Sequence, residues 1–319
     1  MSPFQESPVN RFQRLRHRAG AMLTGPVVPA GMLPLAEPEA PPEPPPAGRQ
    51  PLAGTYVGNG RVLVYLETGG RLYVSADDLT LVPELLKTGI YDVPFTRFLH
   101  RTLTQDSTFV DVGANVGLFA VIGGYLAWTG QVIAYEPAPA LHALLRDNVA
   151  ANWLNDRVRI RPVAVGRGTG RAVFGFPTTM HMLGGIDLTP ASFAALYPGV
   201  EVLETEVEVV CLDDELADAG HIDLVKIDVE GGEAEVLRGM RGLLANRRVS
   251  RVSLEVRRDA FDRNRAGAGW DDLADELRHL SEMGGDFAVP DEAGQLCPVA
   301  LDEVLEVALY SNLVVTLPT

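Results

Sequence analysis

The residues best placed to do chemistry begin in "VDVGANVG", where Asp111, Gly113, Asn115 and Gly117 join an apolar run to a helical one. Glycines let the main chain turn sharply and approach a ligand closely. A dinucleotide site would use G-x-G-x-x-G to wrap a pyrophosphate. Here Asn115 and Leu118 occupy the second and third glycine positions, so that fingerprint fails. Asp111, just before the loop, would repel a pyrophosphate and attract a cationic ligand. S-adenosyl-L-methionine (AdoMet), with its ammonium and sulfonium charges, is such a ligand. Glu136, in "IAYEP", lies about 20 residues beyond the loop, where an acid accepts hydrogen bonds from ribose hydroxyls. The competing reading makes Asp111 a helix-terminal carboxylate and Glu136 a surface acid.

A second set lies in "IDLVKIDVEGGEAEVL". Strand alternation puts Lys226, Asp228 and Glu230 on one face if the strand extends that far. Ionisable groups in an apolar strand are costly unless paired. Asp228 and Glu230 fall at the carboxyl end of the run, and Glu255, in "VSLEV", ends the next one. The candidates for a general base are Asp228, Glu230, His181 in "TTMHMLGG", and His221. His221 begins a strand at the wrong end of a sheet and reads as structural. A Mg²⁺-assisted route through Asp228 and Glu255 is a further reading for a diol substrate, but no fuller hard-ligand set is evident and no metal is expected.

Positioning these groups needs strands that deliver loops to one edge. From Ser107 onward, strand-like and helix-like runs alternate: "TFVDVG", "VGLFAVIGGYLAW", "QVIAYEP", "PALHALLRDNVAANW" and "RVRIRPVAV". After a long connection come "IDLVKIDVEG", one helix over "EAEVLRGMRGLLANR", "VSRVSLEV", "DDLADELRHLSEMG" and a closing strand in "VALYSNLVVTLP". Such alternation predicts an α/β fold, Rossmann-like, with a doubly wound and mainly parallel sheet. Ligands bind such sheets beyond the strand carboxyl ends, near the switch in strand order. The long connection holding His181 reads as a lid or substrate loop.

"FVDVGANVG", "AYEP", "VAVG", "CLDD" and "DLVKIDVEGGEAEVLRGM" resemble the FkbM family of methyltransferases, as do "LKTGIYDVPFTRFL" upstream and "YSNLVV" near the end. The resemblance runs from about Leu81 to Leu317 and leaves the first 80 residues outside it. It implies AdoMet-dependent methylation, usually of a hydroxyl on a sugar or secondary metabolite. By matching motif it makes Asp111, Gly113, Asn115 and Gly117 the AdoMet loop and Glu136 the ribose acid. Asp228 and Glu230 then border the acceptor site. Family members often carry a histidine two residues after the acid matching Glu255; Arg257 stands there in this chain. The competing classes are a nucleotide-dependent oxidoreductase and a catalytically silent, methyltransferase-like binding module.

Composition narrows the partners. The formal charge is −15, and lysine occurs only at Lys87 and Lys226. Nucleic-acid binding draws most of its affinity from a basic stripe, and none is visible, so the expected partner is a small-molecule or glycoconjugate acceptor. An N/D-P-P-Y motif for base methylation is also lacking. No apolar run reaches the roughly 18 residues needed to span a bilayer. Two cysteines, Cys211 and Cys297, form no disulfide framework, which favours a reducing, cytoplasmic setting. Residues 1–51 read as a flexible tail because of "EPEAPPEPPPAGRQP". Residues 52–104 read as a β-hairpin with a helical cap, and 105–319 as the methyltransferase domain. Whether residues 10–23 dock, or the chain forms a homodimer, stays open at this level.

Overall fold

The computed structural model of the protein describes residues 54–179, 183–186, 188–194, 197–257 and 269–318. The expected tail therefore lies outside the described residues. The rest belongs to one compact unit.

The chain opens on an antiparallel meander, β1 (Gly54–Gly58), β2 (Arg61–Tyr65) and β3 (Arg71–Ser75), followed by α1 (Leu81–Thr88) and α2 (Val93–Thr102). The expected hairpin is β2–β3; β1 is an additional strand, and Asn59-Gly60, both at positive φ, make the turn into β2. Then follow β4 (Thr108–Val112), α3 (Leu118–Leu126), β5 (Gln131–Tyr135), α4 (Pro139–Ala151) and β6 (Val158–Arg161). The long connection is not a bare loop. It contains β7 (Ala164–Val165), β8 (Gly170–Pro177), β9 (Gly185–Ile186), α5 (Pro190–Ala194) and β10 (Val202–Val210). These four strands form their own sheet in the order β7-β10-β8-β9. "RVRIRPVAV" thus splits between two sheets at Pro162, which has no amide hydrogen for a ladder.

After α6 (Leu212–Glu215) come β11 (Leu224–Ile227), α7 (Glu233–Arg238), α8 (Arg241–Ala245) and β12 (Arg251–Arg257). The one helix expected over 233–247 is two, broken at Gly239 and Met240. A Cβ at Gly239 would lie 2.1 Å from the Gly166 carbonyl oxygen, so the chain passes too close to the second sheet for any side chain there. The last elements are α9 (Trp270–Glu282), β13 (Asp286–Pro290), β14 (Leu296–Pro298), α10 (Leu301–Val307) and β15 (Leu309–Thr316).

The main sheet runs β14-β13-β15-β12-β11-β4-β5-β6. β4, β5, β6, β11 and β12 are parallel, and β15 runs antiparallel between β12 and β13. Strand order reverses between β4 and β11, which creates the crevice in which ligands bind.

Alternation then sorts the strands' side chains. Val110, Val112, Val225, Ile227, Val252, Leu254 and Val256 enter one apolar core, while Phe109 and Leu224 enter the other. The second face is interrupted by a polar row: Asp111, Lys226 and Ser253 are direct register partners across β4, β11 and β12. Two residues further along stand Gly113 and Asp228, just past the ends of β4 and β11, and Glu255, within β12.

The N-terminal meander docks beside the glycine loop through helix α4. Asn148 accepts from the Tyr73 amide (2.6 Å) and donates to the Tyr73 and Val116 carbonyls (2.9 and 2.7 Å). Asn152 does the same for the Arg71 amide and carbonyl (3.0 and 2.7 Å). Four helical residues rise about 6 Å and two strand residues about 6.8 Å, so the two amides match alternate residues of β3 and satisfy its free edge.

Candidate functional site

The glycine loop is built from backbone hydrogen bonds to the end of β5. The Gly113 and Ala114 amides donate to the Tyr135 carbonyl (3.0 and 2.9 Å). Glu136 completes the loop: Oε2 accepts from the Asn115 amide (2.9 Å) and Oε1 from the Ala138 amide (2.8 Å). Gly113, Asn115 and Gly117 all take positive φ, of 80°, 52° and 90°. Glu136 is 4% exposed, and burial pushes its carboxyl up to about 7 against the pull of its two amide donors. A carboxylate offers about four lone-pair sites, so acceptor capacity remains toward the cavity that Glu136 lines.

That cavity, of 110 Å³, is walled by Gly113, Asn115 and Glu136 on one side and by Asp228 and Glu230 on the other. Phe174 and Ile186 of the second sheet line its apolar end. The sheet hidden in the long connection is therefore part of the site.

Asp111 stands behind the loop and not on the cavity wall. It is fully buried, and its two carboxylate oxygens have no hydrogen-bond partner among the described residues. Burial raises it to about 6; Lys226, 3.9 Å away, opposes this, and so does the Ala120 amide near the start of α3. Lys226 is itself buried, donates to Asp228 Oδ2 at 2.9 Å, and lies 5.1 Å over the Phe119 ring. Burial pulls its pKa down, but Asp228 and Asp111 more than offset this and the net shift is upward. Lys226 thus joins the acid of the first motif to that of the second.

Beyond β11, Asp228, Glu230 and Glu255 converge: one ligand atom from each lies within 4.8 Å of the others. The strand ends at Ile227, and Glu230 reaches the cluster from a loop, at φ 53°. Among the described residues this trio alone could chelate a hard cation. Arg257 holds its Nη1 3.8 Å from Glu255 Oε1. Burial, then the neighbouring Asp228 and Glu230 charges, push Glu255 up to about 9. His181 lies outside the described residues. His221 bonds Ser250 Oγ at 2.7 Å, far along β11 from the cluster, as its position in the sequence implied.

Four residues outside the expected set also shape the site. Glu233 is 1% exposed and accepts from the Val229 and Gly231 amides, which pins the second loop as Glu136 pins the first. It stands at the first position of α7, and an acid in a first helical turn after a glycine pair was a readable helix-start signal. Tyr91, Asp92 and Asn312 come from segments too far apart in sequence for spacing to link them.

Residues 111–286, more than half of the chain, match the family described as "Methyltransferase FkbM domain". The 31-O-demethyl-FK506 methyltransferase FkbM of Streptomyces tacrolimicus is 32% identical over 178 residues, covering 45% of this chain and 68% of that protein. The hexuronic acid methyltransferase AglP of Haloferax volcanii is 30% identical over 168 residues, covering 50% and 60%. The methyltransferase sdnD of Sordaria araneosa is 29% identical over 178 residues, covering 47% and 68%. The chain thus spans about two thirds of the length of these relatives. No described helix is long and apolar enough to cross a membrane. With this match and its two linked motifs, the chain belongs to the FkbM family of methyltransferases.

Proposed function

We propose that the protein transfers a methyl group from AdoMet to a hydroxyl oxygen of a small molecule or sugar. One observation carries this reading: the glycine loop with its buried acid and the second-motif carboxylates line one cavity at the switch in strand order. The names of two relatives, one for a 31-O position and one for hexuronic acid, support a hydroxyl-bearing acceptor.

The residues present suit AdoMet. Gly113 presents bare main chain to the cavity, and it packs so closely on the second loop that a Cβ would stand 1.9 Å from the Asp228 carbonyl oxygen. Asp111, buried behind the loop with Lys226 3.9 Å away and no geometric hydrogen bond to either carboxylate oxygen among the described residues, adds negative charge on that side of the site. Gly113, Asn115 and Gly117 would take the methionine end and Glu136 the ribose. When bound, AdoMet supplies an activated methyl group whose sulfur leaves as a neutral thioether and so needs no acid. The protein's task is to align the acceptor and remove its proton; alignment alone is worth about 7–11 kcal/mol.

Asp228 takes the acceptor proton on its carboxylate, held in place by the Lys226 ammonium. Glu255, protonated at neutral pH, donates a hydrogen bond to an acceptor oxygen and does not act as the base. Glu230, on the same cavity wall as Asp228, helps to orient the acceptor. His181 is the alternative base.

Titrating the full chain with AdoMet tests the cofactor half. Glu136→Gln is expected to weaken binding by about 1.5–3 kcal/mol, the range for hydrogen bonds to a charged group. The wild type should bind more tightly at pH 8 than at pH 6. Below about 7 Glu136 is protonated and loses acceptor capacity, whereas above it the carboxylate is free to accept. Equal affinity in the two proteins, or a pH dependence undiminished in Glu136→Gln, would remove Glu136 from the ribose; the part due to Asp111, raised to about 6, should remain.

A further inference from the structure

Two family-like stretches, "LKTGIYDVPFTRFL" and "YSNLVV", have no role in the mechanism so far. The fold brings them together. Asn312 Nδ2 donates to Asp92 Oδ2 at 2.5 Å, across 220 residues of sequence. Asp92 caps helix α2 from a left-handed conformation (φ 46°), and its Oδ1 accepts from the Phe95 amide at 3.2 Å. Thr96 Oγ1 donates to the Tyr91 carbonyl at 2.7 Å and fixes the main chain just before it.

The partner side is equally specific. Leu254 pairs with Leu313 and Val256 with Tyr310, so β15 carries one extra residue opposite Glu255. A bulge of this kind re-aims side chains at a strand edge. Here it sets Asn312 beside Glu255 while its amide holds Asp92. The neighbouring Tyr91, partly buried against the apolar core, is thereby tied to the strand that pairs opposite Glu255. Its phenol is held above the ordinary tyrosine range by burial first, then by the charges of Asp228, Asp92 and Glu255. Asp92, raised by burial, is pulled back by Asn312, Phe95 and Lys226, which sets it in the same charge cluster.

We propose that Tyr91 contacts the methyl acceptor with its hydroxyl and that the Asp92–Asn312 hydrogen bond is the clasp that positions it. The inference rests on the hydroxyl-acceptor reading above. A phenol that stays protonated donates to an acceptor oxygen and turns the adjacent hydroxyl toward Asp228. Tyr91 is then an acceptor-specificity residue, and Asp92 and Asn312 are positioning residues.

The test has two arms, both on the full chain with S-adenosylhomocysteine or AdoMet. In the first, tyrosines carry ¹³C at Cζ, and the Tyr91 signal is the one lost in Tyr91→Phe. It should remain that of a neutral phenol to about pH 11, where exposed tyrosines have ionised. Asn312→Ala and Glu255→Gln should each lower its midpoint. A Tyr91 signal that titrates with the exposed tyrosines, or that neither substitution moves, overturns the placement. In the second arm, a panel of neutral methyl glycosides is offered with AdoMet. For any that the wild type methylates, Tyr91→Phe should lower kcat/KM by roughly threefold to tenfold, the worth of one hydrogen bond, with AdoMet affinity unchanged. Asn312→Ala should do the same, and Asn312→Gln should recover part of the loss. An unchanged kcat/KM in Tyr91→Phe overturns the contact. If the wild type methylates no glycoside, the sugar-acceptor form of the reading fails and the contact is read by the first arm alone, in which a Tyr91 signal that titrates with the exposed tyrosines overturns it.

Discussion

Replacing Asp228 by asparagine is expected to lower kcat by about a hundredfold to ten-thousandfold, the span for removing a general base. Asparagine keeps an oxygen to accept from Lys226 Nζ, now 2.9 Å from Asp228 Oδ2, so the buried ammonium stays partnered and the fold should hold. What disappears is the group that takes a proton. AdoMet affinity should stay within about threefold, because an interaction made only as the methyl group moves affects kcat and kcat/KM alike. Steady-state kinetics beside AdoMet titration and a thermal melt separate these effects. A variant that keeps kcat within about threefold, while His181→Ala loses it, would move the base to His181.

Gly113→Ala should unfold the site. At φ 80° alanine is strained, at a cost on the order of 1–3 kcal/mol. Its Cβ would also stand 1.9 Å from the Asp228 carbonyl oxygen and 2.9 Å from the carbonyl carbon. Both are main-chain atoms and cannot swing aside. The Asp228 amide donates to the Val112 carbonyl at 3.0 Å, so relief of the clash means parting β4 from β11 where the two motifs meet. Overpacking adds about 1–3 kcal/mol, for a total loss of about 2–6 kcal/mol by denaturant unfolding. AdoMet binding should fall with it. A loss under about 1 kcal/mol, with AdoMet binding intact, would mean that the close approach of the two loops is not required.

The parts legible in the sequence are those encoded locally. "TFVDVG" and "LVKI" are apolar runs bounded by glycine turns, and both are buried parallel strands. The switch between β4 and β11 follows from their order and the helices between them. The second sheet was less legible. "VLETEVEVV" alternates as a half-buried strand should, but its partner β8 carries glycines and leaves side chains exposed, so the whole segment read as a lid. The break of the 233–247 helix depends on Gly166, a residue of another element, and no local propensity signals it.

The site divides in the same way. Glu136 announced itself by its distance from the loop, and Asp228 by its place after a strand. Asp111 did not disclose that it would sit behind the loop, because whether a carboxylate faces a cavity or a lysine depends on a neighbouring strand's register. Glu255 looked like a possible ligand or base. Its burial and the neighbouring Asp228 and Glu230 charges raise its carboxyl, which a position after a strand did not disclose. The Asp92–Asn312 contact depends on one extra residue in β15 opposite Glu255, a feature of pairing and not of composition.

The most direct measurement is a methyl-transfer assay. The full chain is incubated with AdoMet labelled in its methyl group and with neutral hydroxylic acceptors, and both products are followed by mass spectrometry. The account predicts one labelled methyl on an acceptor oxygen for each S-adenosylhomocysteine formed, with both products suppressed in Asp228→Asn and Glu136→Gln. A wild-type protein that binds no AdoMet, or whose label appears only on nitrogen or carbon, would contradict it.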